Sequence, residues 1–290
     1  MITISKPARM HFRRLLLTLV VAWPYWLAAQ SSTDLSFTTT AAAFHHDARW
    51  PLHTATPFYA VAFAWPDGEA GTLQVRFGES RKKSGPWQPV HADPHARAAD
   101  RGPAGLVVSA LLFAPAGTRW FELRGSGWPQ GSLIRMHVYS PGHSTRPPGA
   151  AAAPPARPRD CPCPLPAIQT RADWCPDGSC PPDPTPTATT FSHMIVHHSA
   201  SSSTASDWAA VVRSIWDFHV NVNGWDDIGY NYLVAPDGTL YEGRGDNVLG
   251  AHFCGTNTGA MGVCMMGTWT SAPPPDTALA TLRDLLAWKS

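Results

Sequence analysis

A proline- and alanine-rich stretch over residues 141–164 divides this chain into two parts. It contains Arg-Pro-Pro-Gly at 146–149, then four alanines, then Pro-Pro-Ala-Arg-Pro. A segment of this composition cannot bury an apolar core, and its prolines keep the backbone extended. We therefore expect the 290 residues to fold as two separate bodies, 35–140 and 165–290, on a flexible tether.

The first 29 residues have the pattern of an export signal peptide. Four basic side chains lie within 6–14, an apolar core follows at 15–23, and Leu-Ala-Ala ends the segment at Ala29. The apolar run is too short for a comfortable membrane span. The sequence therefore predicts a secreted, periplasmic or cell-surface protein that is cleaved after Ala29 and has no membrane span once the signal is removed.

The charge balance argues against nucleic acid as a partner. Lys and Arg number 22 against 21 Asp and Glu, which gives a formal net charge of +1. Nucleic-acid-binding domains usually carry a strongly basic patch or stripe. We expect no nucleic-acid partner, and we expect a monomer.

Residues 35–140 show the pattern of β structure. Apolar side chains alternate with small or polar ones along three runs, and Pro-Asp-Gly at 66–68 and Gly-Ser-Gly at 125–127 supply turns. The alternating apolar positions are Tyr59, Val61, Phe63, Trp65, Leu73, Val75, Phe77, Ile134, Met136 and Val138. Several short strands with turns between them predict an all-β sandwich.

All six cysteines follow residue 160. In an exported protein, disulfides are a better explanation for them than a zinc knuckle, because the surroundings are oxidising. We predict that Cys175 pairs with Cys180 around a small Pro-Asp-Gly loop. The other four cysteines can pair in three ways, and the sequence does not choose among these.

Residues 165–290 alternate strand and helix patterns. An apolar run at 194–196 predicts a strand, and a capping-box pattern at 204–207 precedes a helix that Asn223-Gly224 ends. A hairpin around Pro-Asp-Gly, a strand at 261–266 and a second amphipathic helix starting near Asp276 follow. The apolar stripe of the first helix consists of Trp208, Val212, Ile215 and His219. This order predicts an α/β domain with a central mixed β-sheet flanked by helices.

The strand at 194–196 ends in two histidines, His197 and His198. Successive side chains of a strand point to opposite faces, so only one of the two can face a given cleft. A neutral imidazole at a strand end is a common first ligand for zinc. Taken alone, the pair is more typical of two ordinary histidines, one buried and one exposed. His219, on the helical stripe, is more typical of a satisfied core histidine than of a ligand.

Four motifs follow one another in the second half of the chain: His-His-Ser at 197–199, Gly-Trp-Asp-Asp-Ile-Gly-Tyr-Asn at 224–231, Asp-Gly-Thr-Leu-Tyr-Glu-Gly-Arg-Gly at 237–245 and Gly-Ala-His at 250–252. In this order they resemble the peptidoglycan recognition protein family, which is related to the type-2 N-acetylmuramoyl-L-alanine amidases. The resemblance covers about 165–290. Less specifically, the β segment resembles the β domain that precedes such amidase domains in some exported bacterial members.

The resemblance implies zinc-dependent hydrolysis of the amide between the lactyl group of N-acetylmuramic acid and L-alanine, with peptidoglycan and its muropeptides as partners. Zinc with three protein ligands and an open position lowers the pKa of bound water to about 7. By position in the motifs, His197 is implied as a zinc ligand. Tyr230 is implied as the catalytic tyrosine, whose phenol stabilises the developing oxyanion.

The same motifs imply a substrate groove lined by His252, Arg244 and Asn231. An arginine suits the carboxylates of muropeptides. For Arg244 the alternative is an ion pair with Glu242 or Asp246 that fixes the hairpin. Neighbouring motif residues are expected to act as a scaffold for Tyr230, and these are Trp225, Asp227 and Gly229.

One feature departs from the family pattern. The family's second zinc histidine and its zinc cysteine lie beyond the helix that begins near Asp276, whereas this sequence ends at Ser290. Cys254 and Cys264 match no ligand position of the family. We therefore expect a C-terminally truncated, inactive fragment of a secreted amidase. A non-catalytic peptidoglycan-binding module, or an adhesion protein whose sandwich binds carbohydrate, remain the alternatives.

Overall fold

A computed structural model describes residues 31–38, 50–53, 57–69, 71–93, 105–115, 117–142, 163–253 and 255–290. The predicted export signal and most of the predicted linker lie outside these residues, as do Cys161 and Cys254. Within the described ranges, every helix is too short or too polar to cross a membrane.

Residues 31–142, here called the N-terminal β region, form two antiparallel sheets of five strands each. One sheet has the order β1-β10-β3-β7 with β8 also paired to β3, and the other has the order β2-β9-β4-β5 with β6 also paired to β4. The strands are β1 (Ser31–Thr38), β2 (Trp50–His53), β3 (Ala60–Pro66), β4 (Thr72–Ser80), β5 (Lys83–Ser84), β6 (Gln88–Pro89), β7 (Leu106–Val108), β8 (Leu112–Phe113), β9 (Trp120–Ser126) and β10 (Leu133–Ser140).

The two sheets of the N-terminal β region share one apolar core. Phe63 of β3 and Met136 of β10 come from one sheet, whereas Val75 of β4 and Phe121 of β9 come from the other, and all four are buried in the same cluster. The alternating runs predicted from the sequence supply most of this cluster. Alternation of apolar and polar side chains therefore located the strands correctly.

Residues 163–290, here called the C-terminal α/β region, contain the predicted mixed sheet. Its strand order is β11-β14-β13-β15-β12, in which β13 and β14 are antiparallel and the other neighbours are parallel. The elements are β11 (Ile168–Gln169), α1 (Arg171–Trp174), β12 (His193–His198), α2 (Trp208–Asp217), a π-helical turn (Phe218–Val222), β13 (Tyr232–Val234), β14 (Leu240–Glu242), β15 (Ala260–Met265) and α3 (Asp276–Lys289).

The two faces of this sheet pack against different helices. Leu233 and Cys264 belong to the core cluster that contains α2, whereas Val234 and Val263 belong to the cluster that contains α3. On β12, His197 is in register with Cys264 of the neighbouring parallel strand. Since residues in register share a face, His197 lies on the α2 side of the sheet.

Local sequence signals explain the helix boundaries and the disulfide. The side chain of Asp207 caps α2 by accepting a hydrogen bond from the Ala210 amide at 3.0 Å. The helical segment ends before Gly224, whose φ of 74° suits glycine. Cys175 and Cys180 form the predicted disulfide.

The expectation of two separate bodies is wrong. His137 of β10 is hydrogen-bonded to the carboxylate of Asp217 at the end of α2, with 2.8 Å between Nε2 and Oδ2. Arg213 is only 2% exposed and donates from Nε to the Pro141 carbonyl at 2.8 Å. Phe218 packs with apolar side chains of both β3 and β7. Polar groups buried in this way need each other as partners, so the two regions dock directly.

Candidate functional site

The histidine pair at the end of β12 makes two different sets of contacts. His197 Nε2 lies 3.1 Å from Nδ1 of His252. His198 Nδ1 accepts a hydrogen bond from the Trp269 amide at 3.0 Å, and His198 also borders the cleft described below. The strand therefore directs the His197 ring to His252 and ties the His198 ring to the segment after β15.

Tyr230 lies beside His197, in the loop that leads into β13. Its ring centroid is 5.9 Å from that of His197 and 5.7 Å from that of His219. Its hydroxyl is hydrogen-bonded to the thiol of Cys264. Burial, followed by the nearby Cys264 and Asp93, raises the pKa of Tyr230 well above its usual value near 10. The phenol is therefore protonated at neutral pH and can act as a hydrogen-bond donor.

The backbone before Tyr230 is held by a stack of buried groups. His219 Nδ1 accepts a hydrogen bond from the Gly229 amide at 3.0 Å, and the His219 ring stacks on Trp225 with centroids 4.5 Å apart. Asp227 accepts from Arg171 Nη2 at 2.8 Å. These contacts agree with the scaffold expected for this motif. They also show that His219, a core histidine as predicted, touches the site.

His252 lies beside His197, and together with Tyr230 these side chains form a cluster. Burial, and then the neighbouring His197, lowers the pKa of His252 to about 4, so the ring is neutral at pH 7. Its ring lies on the backbone of β15, where a Cβ at Gly262 would come 2.2 Å from Cδ2. Its Nε2 is buried and has no hydrogen-bond partner among the described residues. The structure therefore presents an unsatisfied imidazole nitrogen next to His197 and Tyr230.

The structure contradicts direct substrate contact by Asn231. This side chain is completely buried, and its Nδ2 donates to the carbonyls of Gly245 and Val248 at 2.9 and 2.8 Å. Its Oδ1 accepts from the Gly262 amide at 2.8 Å. Asn231 follows Tyr230 directly, and the alternation of side chains turns it into the core. It holds β13, β15 and the 245–248 loop together.

Arg244 is also engaged inside the fold. Its Nε donates to the Ile228 carbonyl at 2.8 Å and its Nη1 to the Leu249 carbonyl at 3.1 Å. Burial lowers the pKa of Arg244. The guanidinium thus fixes the hairpin through backbone carbonyls, and the ion pair with Glu242 or Asp246 that the sequence offered as an alternative does not form. Asp246 pairs with Lys289 instead.

A zinc site requires more ligands than the described residues bring together. Structural and catalytic zinc sites use at least three protein ligands. His197 and His252 supply two imidazoles, and no group of three His, Cys, Asp or Glu side chains arranged for a metal occurs among the described residues. Burial raises the pKa of the nearby Cys264 thiol to about 12, and this thiol is hydrogen-bonded to Tyr230. The described donor set does not fit zinc.

The cluster opens into a small cleft of about 70 Å³, here called the histidine cleft. Tyr230, His252 and Trp225 line it on one side. Asp93, Ala110, Leu111 and Phe113 of the N-terminal β region line it on the other. The sequence carries no signal for this second wall, because these residues belong to no motif and lie more than eighty positions before the histidine pair.

The second half of the chain is similar to known proteins. Residues 187–290 match the N-acetylmuramoyl-L-alanine amidase family. The chain is 40% identical over 127 residues to the mouse N-acetylmuramoyl-L-alanine amidase. The aligned region covers 42% of this chain and 23% of the mouse protein. The chain is also 40% identical over 98 residues to peptidoglycan recognition protein 1 of Bos indicus, covering 33% and 52%. It thus spans under a quarter of the mouse enzyme.

Among solved structures, the chain is similar to peptidoglycan recognition protein-LE, which was determined in complex with tracheal cytotoxin, a monomeric diaminopimelic acid-type peptidoglycan. The identity is 35%, the match covers 42% of this chain and 73% of that chain, and the TM-score is 0.39.

Proposed function

Because residues 187–290 belong to the peptidoglycan recognition protein and type-2 N-acetylmuramoyl-L-alanine amidase family, we propose that this chain binds peptidoglycan through the histidine cleft. In this proposal the cleft binds the amide between the lactyl group of N-acetylmuramic acid and L-alanine. Muropeptides, the fragments that contain this bond, are the proposed ligands.

One observation carries the proposal: His197, Tyr230 and His252 come from three separate sequence motifs and lie against one another, and Tyr230 and His252 line the histidine cleft. Tyr230 keeps its proton at neutral pH and can donate to an amide carbonyl. The buried Nε2 of neutral His252 lacks a partner among the described residues, and a ligand amide can supply one. An unsatisfied buried polar atom costs about 1–3 kcal/mol, so pairing it favours binding.

Hydrolysis of the muramoyl amide is the second candidate function. The placement of the Tyr230 phenol beside the histidine pair favours it, since such a donor stabilises charge that develops on a carbonyl oxygen. The described residues do not complete a zinc site. We therefore propose recognition as the function of the cleft as described, and zinc-dependent hydrolysis as an activity that requires at least one further metal ligand.

We further propose a domain organisation and a location that follow the sequence. Residues 35–140 are an all-β sandwich, which the shared core of the two sheets supports, and 165–290 are the peptidoglycan-recognition domain. Residues 141–164 link them, and 1–29 direct export to the periplasm, the cell surface or the medium. Mass spectrometry of the mature N-terminus tests the cleavage after Ala29, and light scattering tests the proposed monomer.

Co-sedimentation with purified sacculi tests the proposed function. The wild-type chain should sediment with sacculi, and His252→Ala should largely abolish this. His193→Ala is the matched control, because His193 is an exposed histidine at the other end of β12. Chromatography of the supernatant for free stem peptide separates the two candidates. Sedimentation that His252→Ala leaves unchanged would remove the histidine cleft from recognition.

A further inference from the structure

A groove of about 790 Å³ runs between the two regions of the chain, here called the inter-region groove. One wall consists of Tyr59, Gln88 and residues 111–115 of the N-terminal β region. The other wall comes from the segment after β12 and consists of residues 200–202 and 204–206. The volume is in the range of about 300–1,000 Å³ that is typical of ligand sites.

The inter-region groove is continuous with the histidine cleft. Leu111, Phe113 and Ala200 line both. Ala200 has a φ of 50°, in the left-handed region that a non-glycine residue adopts at a cost of about 1 kcal/mol or more. At Ala200 the backbone turns from the end of β12, where His198 borders the histidine cleft, to the residues that line the groove. A ligand with one end in the histidine cleft can therefore extend along the groove.

The two walls are held in fixed positions. The Tyr59 ring packs edge-on against Phe113, with centroids 5.6 Å apart. Arg213 and the His137–Asp217 hydrogen bond join the two regions that supply the walls. Since the groove depends on both regions, the C-terminal α/β region alone would lack half of it.

The chemistry of the groove selects a neutral ligand. No residue that lines it, all of them within the described part of the chain, has a charged side chain. The walls present the aromatic rings of Tyr59 and Phe113, the amide of Gln88, and serine and threonine hydroxyls. A stem peptide carries free carboxylates, which proteins usually bind with arginine or lysine. N-acetylated sugars carry only hydroxyl and amide groups and have flat apolar faces.

We propose that the N-terminal β region forms one wall of the substrate groove and that this groove binds the neutral glycan portion of peptidoglycan. This inference rests on the proposed function, because it places the glycan on one side of the muramoyl amide held in the histidine cleft. It assigns to the first half of the chain a direct part in recognition.

The test is calorimetric titration of the full chain with a peptide-free oligomer of N-acetylglucosamine. Ser202→Trp fills the groove from an exposed position, and Ser271→Trp is its control at an exposed position outside. Gln88→Ala removes the amide from the wall, and Gln130→Ala is its control on an exposed loop of the same region. We expect affinity to fall at least about tenfold for Ser202→Trp and about fivefold for Gln88→Ala, with the controls unchanged.

Equal affinity in all variants would overturn the inference. If the wild type does not bind the oligomer but still sediments with sacculi, the glycan assignment fails and the proposed function stands. If the wild type binds neither, both fail.

Discussion

The imidazoles of His197 and His252 lie 3.1 Å apart, Nε2 to Nδ1, although 55 positions separate them in the sequence. The first is at the end of an edge strand, and the second is in the loop that precedes β15. Burial keeps the pKa of His252 near 4, so this pair carries at most one positive charge at neutral pH. Two imidazoles in this arrangement can bind a polar ligand, but they are one ligand short of a zinc site.

Zinc should therefore bind the chain weakly. Because His197 and His252 supply only two imidazoles and the described residues contain no group of three metal-binding side chains, we expect a calorimetric titration that does not saturate at micromolar zinc. Removal of metal by a chelator should leave sacculus binding intact. Tight one-to-one binding would show that Cys254, which lies outside the described residues, or Cys264 completes a metal site.

The substitution Gly262→Ala should displace His252. The added Cβ would lie 2.2 Å from Cδ2 of the ring, so the ring or the strand must move. We expect a loss of about 1–3 kcal/mol in the free energy of unfolding, as for other overpacked cores. Muropeptide affinity should fall at least about tenfold.

Gly85→Ala is the control for this substitution, because its added Cβ would meet no heavy atom nearer than the Phe77 carbonyl oxygen at 3.7 Å. Chemical denaturation and a binding titration measure both effects. If Gly262→Ala binds like the wild type, the ring position of His252 is irrelevant to recognition.

The substitution Tyr230→Phe should separate binding from catalysis. It keeps the ring beside His197 and His219 but removes the hydroxyl that contacts Cys264. Muropeptide affinity should change by less than about threefold, because most of the packing remains. In a preparation that releases stem peptide, the rate should fall by about 10²–10³-fold, the usual effect of losing one oxyanion donor. An unchanged rate would exclude the phenol from the reaction.

Docking of the two regions should depend on His137. Removal of its ring by His137→Ala leaves a buried Asp217 carboxylate with one hydrogen bond fewer, at a cost of about 1–3 kcal/mol. We expect lower stability and faster proteolysis within residues 141–160. Arg135→Ala, at an exposed position of the same strand, should change the stability by less than about 0.5 kcal/mol. Identical digestion of both variants would argue that this hydrogen bond does not hold the regions together.

The elements of the fold that depend on local patterns could be predicted from the sequence. Alternation along β3, β4 and β10, the helical stripe of α2 and the tight Cys175–Cys180 loop each specify a structure within a few residues. The mixed sheet followed from the order of its elements. The resemblance to a family also brought His197, Tyr230 and His252 into one hypothesis before their distances were known.

The remainder depends on contacts between distant segments. Docking of the two regions rests on His137, Arg213 and Phe218, which have no shared sequence pattern. A position in a motif likewise does not distinguish a ligand contact from a structural role. Asn231 and Arg244 lie in conspicuous motifs, yet their polar groups bind backbone carbonyls inside the fold.

The central claim is that His197, Tyr230 and His252 form a recognition site for muropeptides. Its most direct test is calorimetric titration of the full chain with a purified disaccharide-peptide muropeptide in the presence of a chelator. We predict saturable one-to-one binding by the wild type and by His193→Ala, and affinity at least about tenfold lower for His252→Ala. Absence of binding by the wild type, or equal affinity of His252→Ala and the wild type, would contradict the account.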